Sequence, residues 1–350
     1  MTYLAEHGGW PAFLSTLLAG RDLPDPAARA AVSAILADEA TPAQIAGFLV
    51  ALRAKGETAD ELAAMLDVVL DAASTVPLSE AERSTAVDIV GTGGDGSHSI
   101  NVSTMAALVT AGVGVPVCKH GNRSASSKCG AADVLELLGV TIEQSPEDVA
   151  TSIREIGMGF CFAPMFHPAF RFAGPPRREL GVPTAFNLLG PMANPGRIDH
   201  QLIGVADPRY ADAMIGALRR QGLTTAWVVH GDGFDEITTT GPTRVLALAD
   251  GEIDEFRIDP ASFGLAPATP SDLAGGEPAE NADAVRRVLA GETGPHRDIV
   301  VLNAAGALVV AGRVTDIADG LDLATRAIDD GSAAAVLDGL VAVSGRGAAS

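Results

Sequence analysis

The sequence predicts an α/β protein, a small N-terminal helical domain followed by a larger α/β domain with a mostly parallel central sheet. Three observations carry this. Apolar residues recur at helical spacing through the first seventy-odd residues, and from about Val87 short β-rich runs alternate with helical stretches. The chain's 350 residues, 47% hydrophobic and only 19% charged, suffice for two domains with a substantial core.

The helical part reads in order. Asp25-Pro26 and Thr41-Pro42 each set a capping side chain before a proline at the first helical position. Ile45, Phe48, Leu49 and Leu52 then share one face, and Gly56 ends that helix. Thr58 with Glu61 forms a capping box, followed by the apolar stripe Leu62, Met65, Leu66 and Val69. Such stripes serve a core or an oligomer seam. Beyond them, Val87 to Val90, Val115 to Cys118, Phe160 to Ala163, Gln201 to Ala206 and Ala226 to His230 are the expected strands. Helical stretches such as Met105 to Gly112 and Asp133 to Leu138 separate them. Pro260 to Gly294 reads as an exposed connection with one short helix, and the tail from Gly345 as frayed.

Charge narrows the function classes. The net charge of −20 would repel a nucleic-acid backbone. No apolar run is long enough to span a membrane and Met1 to Gly20 lacks a basic leader, so a cytoplasmic enzyme is expected. Three cysteines without a CxxC pair, Cys118, Cys129 and Cys161, are expected as free, mostly buried thiols. The acids are unevenly spread. Gly96 through Ala132 contains none, where the 44 acids of the chain would place about five. That stretch keeps Lys119, His120, Arg123 and Lys128. Ile156 to Arg178 and Leu180 to Ile198 are also acid-free, and the first of them carries His167, Arg171, Arg177 and Arg178. Locally basic segments in an acidic protein point to a small anionic ligand.

The expected strand Val87 to Val90 runs straight into Gly91-Thr92-Gly93-Gly94-Asp95-Gly96, and a helix begins after Asn101-Val102-Ser103-Thr104. Glycines let backbone approach a phosphate, and hydroxyls and free amides at a helix start donate to it. Gly91, Gly93 and Gly96 also satisfy the dinucleotide pattern, but the acid about twenty residues on that would hold a ribose diol is missing. No Gly-Lys-Ser/Thr follows, so a Walker loop is absent too. The next loop, Lys119 to Gly130, combines cations, an amide and serines that could surround a pyrophosphate from the other side.

These segments, with Arg178-Glu179-Leu180-Gly181 leading into Phe186-Asn187-Leu188-Leu189-Gly190-Pro191, closely resemble the anthranilate phosphoribosyltransferase family of tryptophan biosynthesis, and the resemblance spans nearly the whole chain. It implies transfer of the phosphoribosyl group of phosphoribosyl pyrophosphate (PRPP) to the amine of anthranilate, with magnesium and release of pyrophosphate. It implies a helical domain over residues 1–75, joined by a helical segment near 170–190, and a PRPP-binding α/β domain over 76–350. Gly91, Gly94, Asp95, Ser99, Asn101, Val102, Ser103 and Thr104 match positions around PRPP. So do Lys119, His120, Gly121, Asn122, Arg123, Ser124, Ala125, Ser126, Ser127 and Ala131. Gly91, Asn122, Arg177 and His167 match the anthranilate side, and Lys119, Asn122 and Arg177 the catalytic group. Arg177 suits a planar carboxylate, which a guanidinium holds by two hydrogen bonds; its alternative is a surface ion pair with an acid such as Glu179. Asp235 and Glu236 match a magnesium-binding pair, with Ser103 as a further ligand. On a strand two neighbouring carboxylates would diverge, so Gly231 and Gly233 must supply a turn.

The resemblance also implies a homodimer built on the N-terminal helices. Phe166 stands where a second histidine is frequent in the family, and Cys129 where serine is frequent. Two rivals remain. A pyrimidine nucleoside phosphorylase shares the architecture but has no use for Arg177 and Asn122 at a carboxylate. A non-catalytic nucleic-acid-binding relative is opposed by the charge and leaves Asp235-Glu236 without purpose.

Overall fold

The computed structural model describes residues 3–124 and 128–347. A single helical turn, Tyr3–Glu6, and four longer helices, Gly9–Leu18, Asp25–Leu36, Pro42–Lys55 and Ala59–Asp71, form the N-terminal part. Two have closed capping boxes, Thr41 with Gln44 and Thr58 with Glu61, which pair N-terminal amides that would otherwise be orphaned. Gly56 ends helix Pro42–Lys55 at φ 95°, a conformation that favours glycine. Asp25 is not a cap: Pro24 holds that position, and Asp25 places its charge in the first turn instead.

Seven strands form one sheet in the order β3-β2-β1-β4-β5-β6-β7. They are β1 (Val87–Gly91), β2 (Val117–Gly121), β3 (Met158–Phe162), β4 (His200–Gly204), β5 (Thr225–Gly231), β6 (Thr243–Ala249) and β7 (Glu252–Ile258). The first five are parallel and the last two antiparallel. Side chains alternate across the sheet as a pleat requires. Ile203 and Val228 join Phe48, Leu62 and Leu66 of the N-terminal helices in one apolar body. Leu202 and Trp227 join Met105, Leu108, Val300 and Leu308 on the opposite face. A parallel sheet buried on both faces is the expected result.

The chain builds outward from β1 to β2 and β3, then returns to lay β4 on the other side of β1. That reversal opens a crevice at the carboxyl ends of β1 and β4, the position where sheets of this kind hold ligands. Gly91 and Gly204, the last residues of the two strands, are direct partners there.

Several expectations need correction. β2 starts two residues late and runs through Gly121, so Lys119 and His120 are strand residues; they are polar because of what they contact, described below. The hairpin of β6 and β7 was not anticipated. The stretch 260–294 is an integral part of the fold, with a twelve-residue helix Pro278–Leu289 and Leu273 fully buried. The last helix, Ser332–Gly347, continues past Gly345. All three cysteines are free and buried, as expected. Among the described residues no helix is long and apolar enough to cross a membrane.

Candidate active site

The crevice is defined by what glycine leaves out. A Cβ on Gly91 would collide with the Asp235 carboxylate, and one on Gly204 with the Asp235 backbone. The acid loop therefore seats directly on the paired ends of β1 and β4. Gly93 N–H donates to Asp235 Oδ2 at 2.7 Å. Gly93, Gly94 and Gly96 carry φ of 66°, 77° and 75°, which turns the loop back over the crevice. Asp95 braces it: Oδ1 accepts from Ser97 N–H at 3.1 Å and Oδ2 faces the Asp235 N–H at 3.4 Å. After β5 the chain makes a tight turn, with Gly231 and Phe234 exchanging backbone hydrogen bonds and Gly233 at φ 82°. This is the turn that Asp235 and Glu236 needed.

The electrostatics of this loop are unfavourable without a cation. Burial, then the nearby Asp95 carboxylate, pushes Asp235 up to about 7. Burial, then Asp235, raises Glu236 well above the usual carboxylate range, although Lys119 and a hydrogen bond from Ser103 N–H oppose it. Lys119 is itself 1% exposed; Nζ donates to the Ile89 carbonyl at 2.6 Å and to Ser103 Oγ at 3.2 Å. Burial lowers its pKa against the pull of Asp88 and Glu236. A buried lysine keeps so costly a position where an anion is to be met. Among the described residues no three acids, histidines or cysteines form a closed metal site. Magnesium is commonly bound by one or two carboxylates, with water and substrate phosphates completing its shell, so this open donor set fits it.

Helix Val102–Gly112 starts beside this group without a side-chain cap. Asn101, at the capping position, turns elsewhere: Nδ2 donates to the Cys129 carbonyl at 3.2 Å, and Oδ1 accepts from Asn281 Nδ2 at 2.8 Å. Val102 and Thr104 are buried, with their N–H groups bonded to Ile100 and Asn101 carbonyls. They shape the turn, while Ser103 points its hydroxyl to Lys119. Ser99 pairs with Ala274 as an isolated bridge, and Ile100 N–H donates to the Leu273 carbonyl at 3.0 Å. The segment read as a connection thus buttresses the glycine loop, and Asn281 is a supporting residue that sequence reasoning missed.

The second loop is arranged differently. Gly130 folds back so tightly that a Cβ would lie 2.6 Å from the Arg123 carbonyl carbon. Asp133 organises it, accepting from Gly130 N–H at 2.8 Å and Ser124 N–H at 3.1 Å. Arg123 pairs with Asp133 and Glu136, both at 2.9 Å, and Lys128 with Glu277 at 3.1 Å. Neither cation points along the crevice with Lys119, because acids of the neighbouring helices draw them away. Asn122 is exposed, with Oδ1 accepting from Arg123 N–H at 2.7 Å. Gly121 closes β2 and Ala131 opens helix Ala131–Leu137. Ala125, Ser126 and Ser127 lie outside the described residues.

Arg177 sits on helix Gly174–Leu180 with Nη2 donating to Asn187 Oδ1 at 3.3 Å and the guanidinium 5.5 Å from the Phe186 ring. Among the described residues it forms no ion pair, with Glu179 or any other acid, and burial lowers its pKa. The two histidines are turned inward. His120 contacts Asp88 through Nδ1, and its Nε2 lies 2.8 Å from the Gly190 carbonyl. His167 directs Nε2 to the Ala193 carbonyl at 2.9 Å and stacks on Phe170. Both are expected at substrate; His120 has both ring nitrogens on protein groups, and His167 its Nε2. Phe166, 1% exposed, is core.

A family model described as the helical bundle domain of a glycosyl transferase family matches residues 11–73, and the a/b domain model of that family matches residues 83–334. The anthranilate phosphoribosyltransferase of Salinispora arenicola is 51% identical over 334 residues, covering 94% of this chain and 95% of the relative. Among solved structures, the Thermus thermophilus enzyme superposes with a TM-score of 0.88 at 42% identity, covering 95% of this chain and 99% of that one. The Saccharomyces cerevisiae enzyme in complex with PRPP and Mg superposes at 0.86 with 28% identity, over 96% and 98% of the two chains. A further structure of the yeast enzyme, in complex with 4-fluoroanthranilate, superposes at 0.81 with 26% identity, over 97% and 94%. With the crevice, the acid loop and these relatives in agreement along almost its entire length, the chain belongs to the anthranilate phosphoribosyltransferase family, the transferases that join a phosphoribosyl group to anthranilate in tryptophan biosynthesis.

Proposed function

We propose that this chain carries out its family's transfer with the pyrophosphate of PRPP seated in the crevice between Gly91–Gly96 and Lys119, and the anthranilate carboxylate on Arg177. The observation that carries the reading is the docking of the Asp235-Glu236 loop on Gly91 and Gly204, which gathers two strained carboxylates beside a buried lysine. Gly94, Asp95, Ser99, the Asn101 to Thr104 turn and the Gly121 to Ala131 loop frame the same ligand. Asp235, Glu236 and Ser103 would hold magnesium, which when bound neutralises phosphate charge and assists its departure. Relatives solved with PRPP and Mg and with 4-fluoroanthranilate support both ligands.

Displacement at the anomeric carbon gives the ribose oxocarbenium character while the leaving pyrophosphate gains charge. Lys119, fixed by the Ile89 carbonyl, and the amides of the glycine loop stand ready to meet that charge without reorganising. Arg177 orients the ring so that its amine faces the reacting carbon, with Asn122 at the mouth. An aromatic amine sheds its proton readily once it has attacked, so a buried general base is not required.

Residues 1–75 with the segment near 170–190 form one unit and 76–350 the other; helices Gly174–Leu180 and Ala185–Met192 pack on helix Pro42–Lys55, in support of this. A second copy covers Leu18 and Val50, large apolar side chains 77% and 46% exposed on the N-terminal helices. The enzyme acts in the cytoplasm, where its phosphorylated substrate is held. Mixing the protein with anthranilate, PRPP and magnesium should abolish anthranilate fluorescence. A folded protein that leaves the fluorescence unchanged refutes the assignment. Sedimentation showing only monomer at micromolar concentration refutes the dimer.

A further inference from the structure

Asp88 lies in the middle of β1 with no exposed surface, so it cannot touch a substrate. It is nonetheless the most heavily engaged carboxylate of the sheet. Oδ1 accepts from His120 N–H at 3.2 Å, and Oδ2 meets both His120 Nδ1 and Asn194 Nδ2, the latter at 2.8 Å. Burial alone would raise its pKa, but His120, Lys119 and Asn194 together hold it below the ordinary value. His120 Nε2 faces the Gly190 carbonyl, so both ring nitrogens lie against protein oxygens.

Gly190 belongs to the last turn of helix Ala185–Met192, and Asn194 follows its end. Asn194 bridges Asp88 and the Cys118 carbonyl through Nδ2, both at 2.8 Å, and accepts from Gly196 N–H at 2.8 Å. One carboxylate therefore tethers the carboxyl end of this helix twice, through His120 and through Asn194. The packing leaves no slack, since a Cβ on Gly196 would sit 2.6 Å from Cys118 Sγ. At the other end of the same helix, Asn187 Oδ1 accepts from Thr184 N–H at 2.9 Å and from Arg177 Nη2 at 3.3 Å. Eight residues of helix form a stiff rod of about 12 Å. What fixes one end fixes the other.

We propose that Asp88 is a positioning residue for anthranilate, acting through His120, Asn194 and the helix Ala185–Met192 on the Asn187 that orients Arg177. The inference rests on the reading of Arg177 as the carboxylate clamp. It also gives the Asn187-to-Pro191 motif a purpose: an amide at one end of a rod and an acceptor carbonyl at the other.

The test is a double-mutant cycle of D88N and R177A, with steady-state constants for both substrates. R177A alone should raise the KM for anthranilate; if it does not, the clamp reading itself fails. Given that effect, D88N should raise the anthranilate KM about tenfold and move the PRPP KM by less than about twofold. In the R177A background D88N should add little, because its route to the substrate has been removed. Equal increases in both KM values, a loss confined to kcat, or full additivity with R177A would each overturn the proposal. Should D88N not fold, N194A removes one of the two tethers, and the same pattern is expected at about threefold; an unchanged anthranilate KM there is equally fatal.

Discussion

The two walls of the active site are built on opposite principles. The glycine wall is rigid: Gly91 and Gly204 meet the Asp235 loop with no room for a methyl group, and Gly93 N–H donates to its carboxylate. In the basic wall Asn122, Arg123 and Lys128 are exposed, and Arg123 and Lys128 are paired with acids of neighbouring helices. On the proposed reading the first is preorganised for a charged phosphate, which is where electrostatic catalysis gains most. The second, on the same proposed reading, exchanges ion pairs before its cations meet a ligand, a modest cost because exposed pairs contribute only about 0–1 kcal/mol each. Charge in the sequence does not reveal which cation is committed; burial does. Lys119 is the committed one.

The largest expected effect comes from breaking the rigid wall. Gly204→Ala drives a methyl group into the Asp235 backbone, which cannot swing aside as a side chain could. We expect at least about 100-fold lower kcat/KM for PRPP, or about 2.7 kcal/mol of transition-state stabilisation. Gly91→Ala, which strikes chiefly the Asp235 carboxylate, should lose less. Steady-state kinetics on both variants, with circular dichroism as the folding control, check the order; equal losses would mean that the acid loop is not seated as described.

A second prediction uses pH to probe a buried histidine that belongs to neither wall. His167 is 5% exposed; burial first, then the neighbouring His120, lowers its pKa to about 4. Its unfolded value is about 6.5, so the unfolded chain binds the proton first and stability is lost as pH falls from about 6.5 through about 4. The loss should be about 3 kcal/mol by pH 4. Urea melts at pH 7.5 and 4.5 should differ less in His167→Gln than in the parent. A parent-like slope in the variant would assign the acid lability to another group.

How much of this was legible follows from where the partners lie. Thr58 and Glu61 are three residues apart, so the capping box could be read directly and the structure shows it closed. The glycine loop and the Asp235-Glu236 pair were each visible, but their mutual seating depends on a contact across 142 residues that no local pattern encodes. β2 was placed short because Lys119 and His120 look like loop residues; their polarity belongs to the crevice and to Asp88, not to solvent. The β6–β7 hairpin did have a signal. Asp250-Gly251, both at positive φ, is the two-residue turn that joins antiparallel strands, and it follows the apolar run Val245 to Ala249. Asp88 had none, since an acid inside an apolar strand reveals its purpose only once His120 and Asn194 are beside it.

The smallest expected effect tests the exposed wall. Asp133 holds the Ser124 and Gly130 amides and one side of Arg123, so it keeps the loop closed on its own helix. Asp133→Asn should cost about 1 kcal/mol of stability, the usual worth of a helix-start carboxylate. It should also release Arg123 in part, because Glu136 remains as a partner. If the second wall works by exchanging ion pairs, the KM for PRPP should fall or hold while kcat changes by less than about threefold. A rise in that KM comparable to the Gly91→Ala effect would show instead that the paired loop is already in its working conformation. The two walls would then be equally preorganised, and the cost of opening Arg123 would drop out of substrate binding.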